Sequence, residues 1–193
     1  MIAALFVHKN GPYFGLPDVD PWDEERDARL YAGPHPVVAH PPCARWSRLA
    51  PVVEKKFGHK RGEDGGCFES ALASVRKFGG VLEHPAYSAA WRAFGLSCPP
   101  RLGGWVKADA FGGFTCHVEQ GHYGHMAPKA TWLYACKTDL PALLWGKSSA
   151  SYVVGYAKTN RRRPEMPKSK RHITPKDFRD LLIQLAMSVR RTS

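Results

Sequence analysis

The sequence predicts an α/β protein with a mostly parallel, twisted sheet flanked by helices. Three observations lead to this fold class. The chain has 193 residues, a length that suits one well-packed domain. It contains several short apolar runs of strand length, and two of them enclose the clearest helical pattern of the N-terminal half. Its composition, with 44% hydrophobic and 23% charged residues, is ordinary for a globular protein.

The first two strands are apolar runs bounded by turn-forming residues. Residues 2–7 form one run, and residues 37–40 form the second, which Pro41 and Pro42 end because proline supplies no amide hydrogen to a sheet. Between them lies a loop rich in Gly, Pro and Asp, followed by a charged segment, residues 23–31, that could form two helical turns.

A helix and a third strand follow. Asp64 can cap the helix and Gly79-Gly80 ends it, while its apolar residues fall at helical spacing on one face: Phe68, Leu72, Val75 and Phe78. Residues 81–83 form the strand. A strand, a helix and a strand in this order predict a right-handed crossover between parallel strands, which is a Rossmann-like arrangement. The segments 40–43 and 83–85 therefore reach the same edge of the sheet, where open α/β sheets bind ligands.

We divide the chain into three parts. Residues 1–145 are the α/β core with the active-site edge, including a loop-rich insertion with short β segments at 105–106 and 114–118 and a strand at 131–135. Residues 146–173 are a basic loop excursion without periodicity. Residues 174–193 contain a helix that packs on the core, with Thr174 as cap, Pro175 at the first helical position and Asp177 completing a capping-box-like pair. Its apolar stripe is Phe178, Leu181, Leu182, Leu185 and Val189.

The net charge of +11 is concentrated near the C-terminus, where residues 145–193 contain 12 basic and 3 acidic residues. Such a segment is typical of a surface that binds nucleic acid, although a solvated basic tail that keeps the protein soluble is the alternative. The candidate nucleic-acid-binding residues are Arg45, Arg161, Arg162, Arg163, Lys168, Lys170 and Arg171.

The sequence favours a cytoplasmic location. No apolar run approaches the roughly 20 residues that a membrane span requires, so no membrane association is expected. The opening residues lack the order of a secretory signal. The five cysteines are widely spaced and contain no CxxC pair, which argues against a disulfide framework and leaves free thiols.

Four motifs in order carry a family resemblance. The segment VVAHPPCARWS resembles the Pro-Pro-Cys motif of cytosine-5 DNA methyltransferases, and VLEHP resembles their glutamate motif. The segment EQGHYGHMAPKATWLYACKTDLPALLWG resembles a block common in short phage-encoded members, and the helix after ITP resembles their last helix. The resemblance implies a DNA or nucleotide substrate, S-adenosylmethionine as cofactor and, for a phage protein, the cytoplasm of the bacterial host.

The resemblance also implies roles for individual residues. Cys43 matches the nucleophile and Glu83 the motif glutamate. Residues around these two are the candidates for substrate binding: Pro41, Pro42, Trp46, His84, Pro85, Tyr87 and Lys129.

Organic chemistry independently supports the Cys43 and Glu83 pair. A pyrimidine becomes reactive at carbon 5 once a nucleophile adds at carbon 6, and a thiolate suits that addition. A carboxyl group against ring nitrogen 3 can stabilise the resulting charge, and we expect Glu83 to be protonated or to share a proton, as burial would favour. Trp46, Trp91 and Tyr87 could form a wall or stack on the base, which must leave the duplex.

Cofactor binding departs from the family pattern. The family carries a Phe-x-Gly-x-Gly turn after the first strand, whereas this chain has HKNGPYFG, which argues against S-adenosylmethionine binding in the family manner. Asp18, Asp20 and Asp23 could replace the missing ribose contact. Four residues of the types that bind zinc lie close together in the sequence: Cys116, His117, His122 and His125. Their spacing is not standard for a zinc site, so we expect none.

Three alternatives stay open. One is a nucleotide or base enzyme that needs no methyl donor, a glycosylase or a base-exchange transferase with Glu83 as nucleophile or acid/base group. Another is a catalytically inactive, methyltransferase-derived phage protein that binds DNA. The third assigns only structural roles, with Cys43 as a small buried residue and Glu83 as an ion-pair partner at a strand end.

Overall fold

The protein has a mixed α/β fold in a computed structural model that describes residues 1–47, 50–58, 60–154 and 163–190. Seven strands form one sheet: β1 (Ile2–Leu5), β2 (Val19–Trp22), β3 (Val37–Ala39), β4 (Gly80–Pro85), β5 (Val106–Lys107), β6 (Gly113–Glu119) and β7 (Ala130–Cys136). The α-helices are α1 (Ala50–Phe57), α2 (Cys67–Phe78), α3 (Ala89–Ala93) and α4 (Lys176–Met187). Short 3-10 turns cover Ala28–Leu30, Gln120–Tyr123 and Lys168–Lys170.

The sheet is parallel in one half and antiparallel in the other, in the order β2-β1-β3-β4-β7-β6-β5. β1 pairs in parallel with β2 and β3, and β3 pairs in parallel with β4. The remaining pairs, β4–β7, β6–β7 and β5–β6, are antiparallel. The prediction of a mostly parallel sheet is therefore confirmed only for the half that contains β1 to β4. The connections from β5 to β7 contain no crossover helix, and short connections of this kind reverse the chain direction.

The register of β3 against β4 brings their carboxyl ends together. Val37 lies opposite Gly80, and Ala39 lies opposite Leu82. Gly80 has a φ of +123°, and a Cβ at this position would lie 1.9 Å from the carbonyl oxygen of Val37. Only glycine allows this close approach, so it fixes how the two strands align.

Both faces of the sheet are covered. On one face, α2 packs Phe68, Leu72 and Val75 against a cluster that includes Leu82 of β4. On the other face, α4 packs its apolar residues against a cluster that includes Val81. Because successive side chains of a strand point to opposite faces, Glu83 follows Val81 toward the α4 side and His84 follows Leu82 toward the α2 side.

Helix α4 begins two residues later than the cap predicted at Thr174. Pro175 precedes the helix, and no side chain caps its first turn, so the predicted pair of Thr174 and Asp177 does not form. The predicted apolar stripe is buried at Phe178, Leu182 and Leu185. The guanidinium of Arg179 donates a hydrogen bond of 2.9 Å to the carbonyl of Pro12, 167 positions away. The last helix therefore holds the loop that follows β1.

Two further elements differ from the prediction. The segment predicted as a loop after β1 contains the edge strand β2. Pro21 lies within this strand, and a proline in a sequence argues against a strand there. The charged segment 23–31 forms only the 3-10 turn Ala28–Leu30 instead of two helical turns. At the start of α2, Asp64 accepts a hydrogen bond of 2.9 Å from the backbone N–H of Phe68, although the helix begins at Cys67.

Among the helices of the described residues, none combines the length and the apolar character that crossing a membrane would demand.

Candidate active site at the carboxyl edge of β3 and β4

A histidine and a glutamate meet where β3 and β4 end. His40 follows β3 directly, and Glu83 lies in β4 one residue beyond the Ala39–Leu82 pair. The Nδ1 atom of His40 lies 3.0 Å from Oε2 of Glu83, and each side chain is 14% exposed. The pair is therefore largely desolvated and still reachable from solvent.

Tyr13 holds the other side of the His40 ring. Its hydroxyl lies 2.8 Å from Nε2 of His40, and the residue is only 2% exposed. Burial, and then the charge of Glu83, raise the pKa of Tyr13 well above its ordinary value. Tyr13 consequently keeps its proton and can donate a hydrogen bond to Nε2, an arrangement in which Nδ1 of His40 carries the ring hydrogen that faces Glu83.

Gln120 fixes the second oxygen of Glu83. Its Nε2 atom donates to Oε1 of Glu83 at 3.1 Å and to Oγ1 of Thr131 at 3.0 Å. Gln120 belongs to the 3-10 turn after β6 and is 1% exposed. Both carboxylate oxygens of Glu83 thus have a donor, one from β3 and one from the antiparallel half of the sheet.

Glu83 is ionised. Burial alone would raise the pKa of Glu83, but the hydrogen bond and electrostatic interaction with His40, and then the positive charge of Lys129, outweigh it, so this pKa lies below its usual range. The lowered pKa opposes a protonated Glu83, whereas the 3.0 Å contact with Nδ1 of His40 fits the other expectation, a shared proton. The sequence indicated burial correctly but gave no sign of the two donors that stabilise the charged form.

Cys43 carries a neutral thiol next to this carboxylate. Burial, and then the negative charge of Glu83, raise the pKa of the Cys43 thiol, while Lys129 acts in the opposite direction. Lys129 is affected in turn: burial lowers its pKa, and the charges of Glu83 and Cys43 oppose that shift. The structure therefore brings together the predicted residues Cys43, Glu83 and Lys129 within electrostatic range of one another.

Not all the other predicted substrate-binding residues line this edge. Pro41 is buried, Pro42 is exposed and Pro85 is half-buried. Trp46 is 8% exposed, donates from its indole N–H to Asp64 at 2.7 Å, and packs against Phe68 and Phe94. Trp46 thus contributes to the α2-side core, and the same holds for Trp91, which is fully buried. Neither ring forms the open stacking surface that was expected.

His84 lies on the opposite face of β4 from Glu83, so its predicted role in substrate binding is wrong. Its ring is fully buried between Phe68, at 5.2 Å, and Trp91, at 6.2 Å between ring centroids. Burial lowers the pKa of His84 to about 4. Neither ring nitrogen makes a hydrogen bond of ordinary geometry to a described residue. The alternation of strand residues, and not the motif, decides this position.

Tyr87 presents an aromatic ring to solvent. It is 45% exposed, has a φ of +65°, and lies 5.3 Å from the ring of Trp132 and 6.1 Å from that of His117. Trp132 pairs with His84 across β4 and β7, which places Tyr87 near the end of β4. Of the three predicted wall residues, Tyr87 is the one that is exposed, whereas Trp46 and Trp91 are buried.

The basic excursion reaches the site through Lys129. The Nζ atom of Lys129 lies 3.5 Å from the carbonyl of Ile173, which follows the exposed residues Lys168 and Lys170. Arg171 is engaged with Glu165 and with the carbonyl of Met166, and Arg163 donates to the carbonyl of Ala150. Arg45 is half-buried. Arg161 and Arg162 lie outside the described residues.

The carboxyl ends of β1 and β2 offer one feature of a nucleoside cofactor site. Asp23 directly follows β2 and is 6% exposed, and its Oδ1 accepts from the backbone N–H groups of Glu25 and Arg26. Its Oδ2 has no hydrogen bond to a described residue, which fits a ribose-binding acid. Asp20 is occupied by Trp22 and Arg26. The loop after β1 turns Tyr13 inward and does not match the family's glycine-rich turn.

The four candidate zinc residues do not converge. Cys116 is buried in the α4-side core, and His117 accepts from the indole of Trp132. His122 and His125 hydrogen-bond to the carbonyls of Gly146 and Ala127. Within the described part of the chain, no three His, Cys, Asp or Glu side chains are grouped closely enough to hold a metal ion.

Three residues of the site were not predicted: Tyr13, His40 as a partner of Glu83, and Gln120. His40 stands at the end of a predicted strand, so its position was available from the sequence. Tyr13 and Gln120 come from a loop and a 3-10 turn without periodicity, and they reach Glu83 only through the fold. No protein-family model, no curated protein and no solved structure matches this chain.

Proposed function

We propose that this protein is an enzyme that modifies a pyrimidine base of DNA, with Cys43 as nucleophile and Glu83 as the group that transfers the proton. The observation that carries the proposal is that Cys43, after β3, and Glu83, in β4, lie at one sheet edge within electrostatic range of each other and of Lys129. These are the groups that addition of sulfur to a pyrimidine ring requires.

The topology of the parallel half supports a ligand site here. From β1 the chain first adds β2 on one side and then β3 on the other, so the strand order reverses between β1 and β3. In Rossmann-like sheets, ligands bind outside the carboxyl ends of the strands at this reversal. Tyr13 and His40 lie at the reversal, and Glu83 follows one strand further on.

The proposed step starts from a neutral Cys43 thiol and an ionised Glu83 carboxylate. The Cys43 sulfur forms a bond to carbon 6 of the ring, its proton passes to Glu83, and Glu83 delivers that proton to ring nitrogen 3. The ring therefore gains the sulfur and the proton without retaining negative charge. Lys129 lies within range of both groups and stabilises negative charge while the proton moves.

Methylation at carbon 5 after the addition would require a methyl donor. When bound, S-adenosylmethionine would supply the methyl group for carbon 5, and Asp23 would hold its ribose. Release of the ring would require loss of the carbon 5 proton to water and cleavage of the bond between Cys43 and carbon 6, while Glu83 takes the proton back from nitrogen 3 and returns it to the departing sulfur. Glu83 and Cys43 act in both halves of the cycle.

The surroundings of the site suit a nucleic-acid strand. Lys168 and Lys170 are exposed in the segment that reaches Lys129, and they can contact phosphates. Tyr87 is 45% exposed near the end of β4, where an extruded base or its neighbour could contact its ring. Positive charge and an exposed aromatic ring therefore accompany the reactive pair.

A mechanism-based trap tests the proposal. With S-adenosylmethionine and an oligonucleotide containing 5-fluorocytosine, the wild-type protein should form a covalent adduct, because fluorine at carbon 5 prevents release of the ring. We expect Cys43→Ala to abolish the adduct and Glu83→Gln to slow it by about 10²- to 10⁴-fold. Intact-protein mass spectrometry measures the adduct.

The matched control for the trap is Cys98→Ala, because Cys98 is an exposed thiol outside the site. It should form the adduct at the wild-type rate. An adduct that survives in Cys43→Ala, or its complete absence from the wild-type protein, would contradict the proposed reaction.

A second candidate, a glycosyl transfer that needs no methyl donor, is favoured by the ionised and oriented state of Glu83. Its carboxylate would bond to carbon 1′ of the sugar as the base leaves, and water would then release the sugar. Release of free base from DNA, lost in Glu83→Gln but retained in Cys43→Ala, would establish this reaction instead. Chromatography of the released bases distinguishes the two candidates.

A further inference from the structure

Glu83 is held by a hydrogen-bonded chain that begins in another part of the fold. Tyr13 comes from the loop after β1, His40 from the end of β3, and Glu83 from β4. We propose that Tyr13 and His40 are positioning residues that keep Glu83 as an oriented carboxylate, ready to receive the thiol proton. This inference rests on the proposed function and names two residues that neither the motifs nor the resemblance assigned.

The contacts fix the plane of the carboxylate. Oε2 of Glu83 lies 3.0 Å from Nδ1 of His40, and Oε1 lies 3.1 Å from Nε2 of Gln120. With one donor on each oxygen, rotation of the carboxylate would break both hydrogen bonds. Each oxygen retains a second lone pair, so a substrate proton can still be accepted.

The hydrogen bond from Tyr13 determines which ring nitrogen of His40 carries the hydrogen. A neutral imidazole carries one N–H, and the ring nitrogen without hydrogen accepts. Because the Tyr13 hydroxyl donates to Nε2, the hydrogen resides on Nδ1, where Glu83 accepts it. Without Tyr13, the other tautomer becomes available and would turn an acceptor toward the carboxylate.

Among the groups around Glu83, His40 does most to lower the pKa of the carboxyl group. On Glu83, the hydrogen bond of His40 has the largest favourable effect, followed by the electrostatic interaction with His40 and then by the charge of Lys129. On the Tyr13 side, Arg179 and Asp180 of α4 act in opposite directions. Removing His40 therefore leaves burial dominant, and a buried carboxyl group tends to become protonated.

Carbon-13 NMR of glutamate side chains tests the inference without substrate. Loss of one signal in Glu83→Gln assigns Glu83. In the wild-type protein its titration midpoint should lie below the ordinary value, and in His40→Leu it should rise by at least about one pH unit. His40→Asn should stay near wild type, because its side-chain amide can donate from the position of Nδ1.

The tyrosine variants supply the second arm and the control. Tyr13→Phe should raise the Glu83 midpoint by a smaller amount than His40→Leu. Tyr31→Phe should leave it unchanged, because the Tyr31 hydroxyl donates to the carbonyl of His35 and packs beside Trp22 and Phe78, away from the site. An unchanged midpoint in folded His40→Leu overturns the inference, and if that variant does not fold, an unchanged midpoint in Tyr13→Phe does so.

The rate of adduct formation with the 5-fluorocytosine oligonucleotide gives the functional readout. Its acid limb should move to higher pH in the same order as the Glu83 midpoints, whereas a merely structural role would lower the rate at every pH alike. If the midpoints shift as expected while no adduct forms in any variant, the positioning chain stands and the proposed reaction fails. The two failures are therefore distinguishable.

Discussion

Glu83 and His84 are consecutive residues in opposite environments. Glu83 accepts two hydrogen bonds on the α4 side of the sheet, whereas His84 is enclosed by aromatic rings on the α2 side. The sequence placed both in one functional motif. It predicted that Cys43 and Glu83 share a sheet edge, because the strand, helix, strand order dictates that placement. It gave no indication of Tyr13 or Gln120, whose contacts depend on tertiary folding.

The low pKa of His84 predicts a stability that depends on pH. The folded pKa of about 4 lies below the ordinary value of 6.5, so the unfolded chain binds the proton first as the pH falls. The free energy of unfolding should decrease by about 2 kcal/mol from this residue between pH 7 and pH 5. Urea unfolding at the two pH values measures the decrease.

The comparison variant for this pH dependence is His84→Leu, which has no group that titrates at this position. Its loss of stability between pH 7 and pH 5 should be smaller than that of the wild-type protein by the same amount. Equal losses in the two proteins would show that His84 does not stay neutral on folding.

At the scale of elements, β4 is the strand on which the two halves of the sheet depend. It pairs in parallel with β3 and antiparallel with β7, so the site receives His40 from one half and Gln120 from the other. The sequence predicted the parallel pairs from a crossover helix. It could not predict the antiparallel ones, because short β segments in a loop-rich region do not reveal their partners.

Because β3 and β4 approach closely at Gly80, two glycine-to-alanine substitutions should lower the free energy of unfolding by different amounts. Gly80→Ala should lower the free energy of unfolding by more than about 3 kcal/mol, because its Cβ would lie 1.9 Å from the carbonyl oxygen of Val37. Gly95→Ala is the matched control: its φ is +68° with nothing within 4 Å, so only about 1 kcal/mol of backbone strain is expected. Similar losses measured by urea unfolding would refute this account.

At the scale of the whole molecule, some of the basic residues behind the net charge of +11 lie near the site and others lie far from it. The exposed residues Lys168 and Lys170 belong to the segment that reaches Lys129 beside the site. Other basic residues, such as Lys77 and Lys107, stand at the opposite edge of the sheet, at the end of α2 and in β5. The sequence predicted the basic excess but not which edge of the sheet it adjoins.

This arrangement predicts a position-dependent effect on DNA binding. The double variant Lys168→Ala/Lys170→Ala should weaken binding and reduce the slope of log affinity against log salt concentration by about two, one for each lost phosphate contact. The double variant Lys77→Ala/Lys107→Ala removes the same charge and should bind with a nearly unchanged slope. Fluorescence anisotropy over a salt series measures both, and equal effects would mean that only net charge matters.

The bond between Arg179 and Pro12 has a consequence for the order of events during protein synthesis. A ribosome completes β1 to β4 long before it adds residue 179, so a growing chain passes through a stage in which the loop of Tyr13 has no brace. The complete site, with Tyr13 held beside His40, should therefore form only late in translation, once the last helix has emerged and docked.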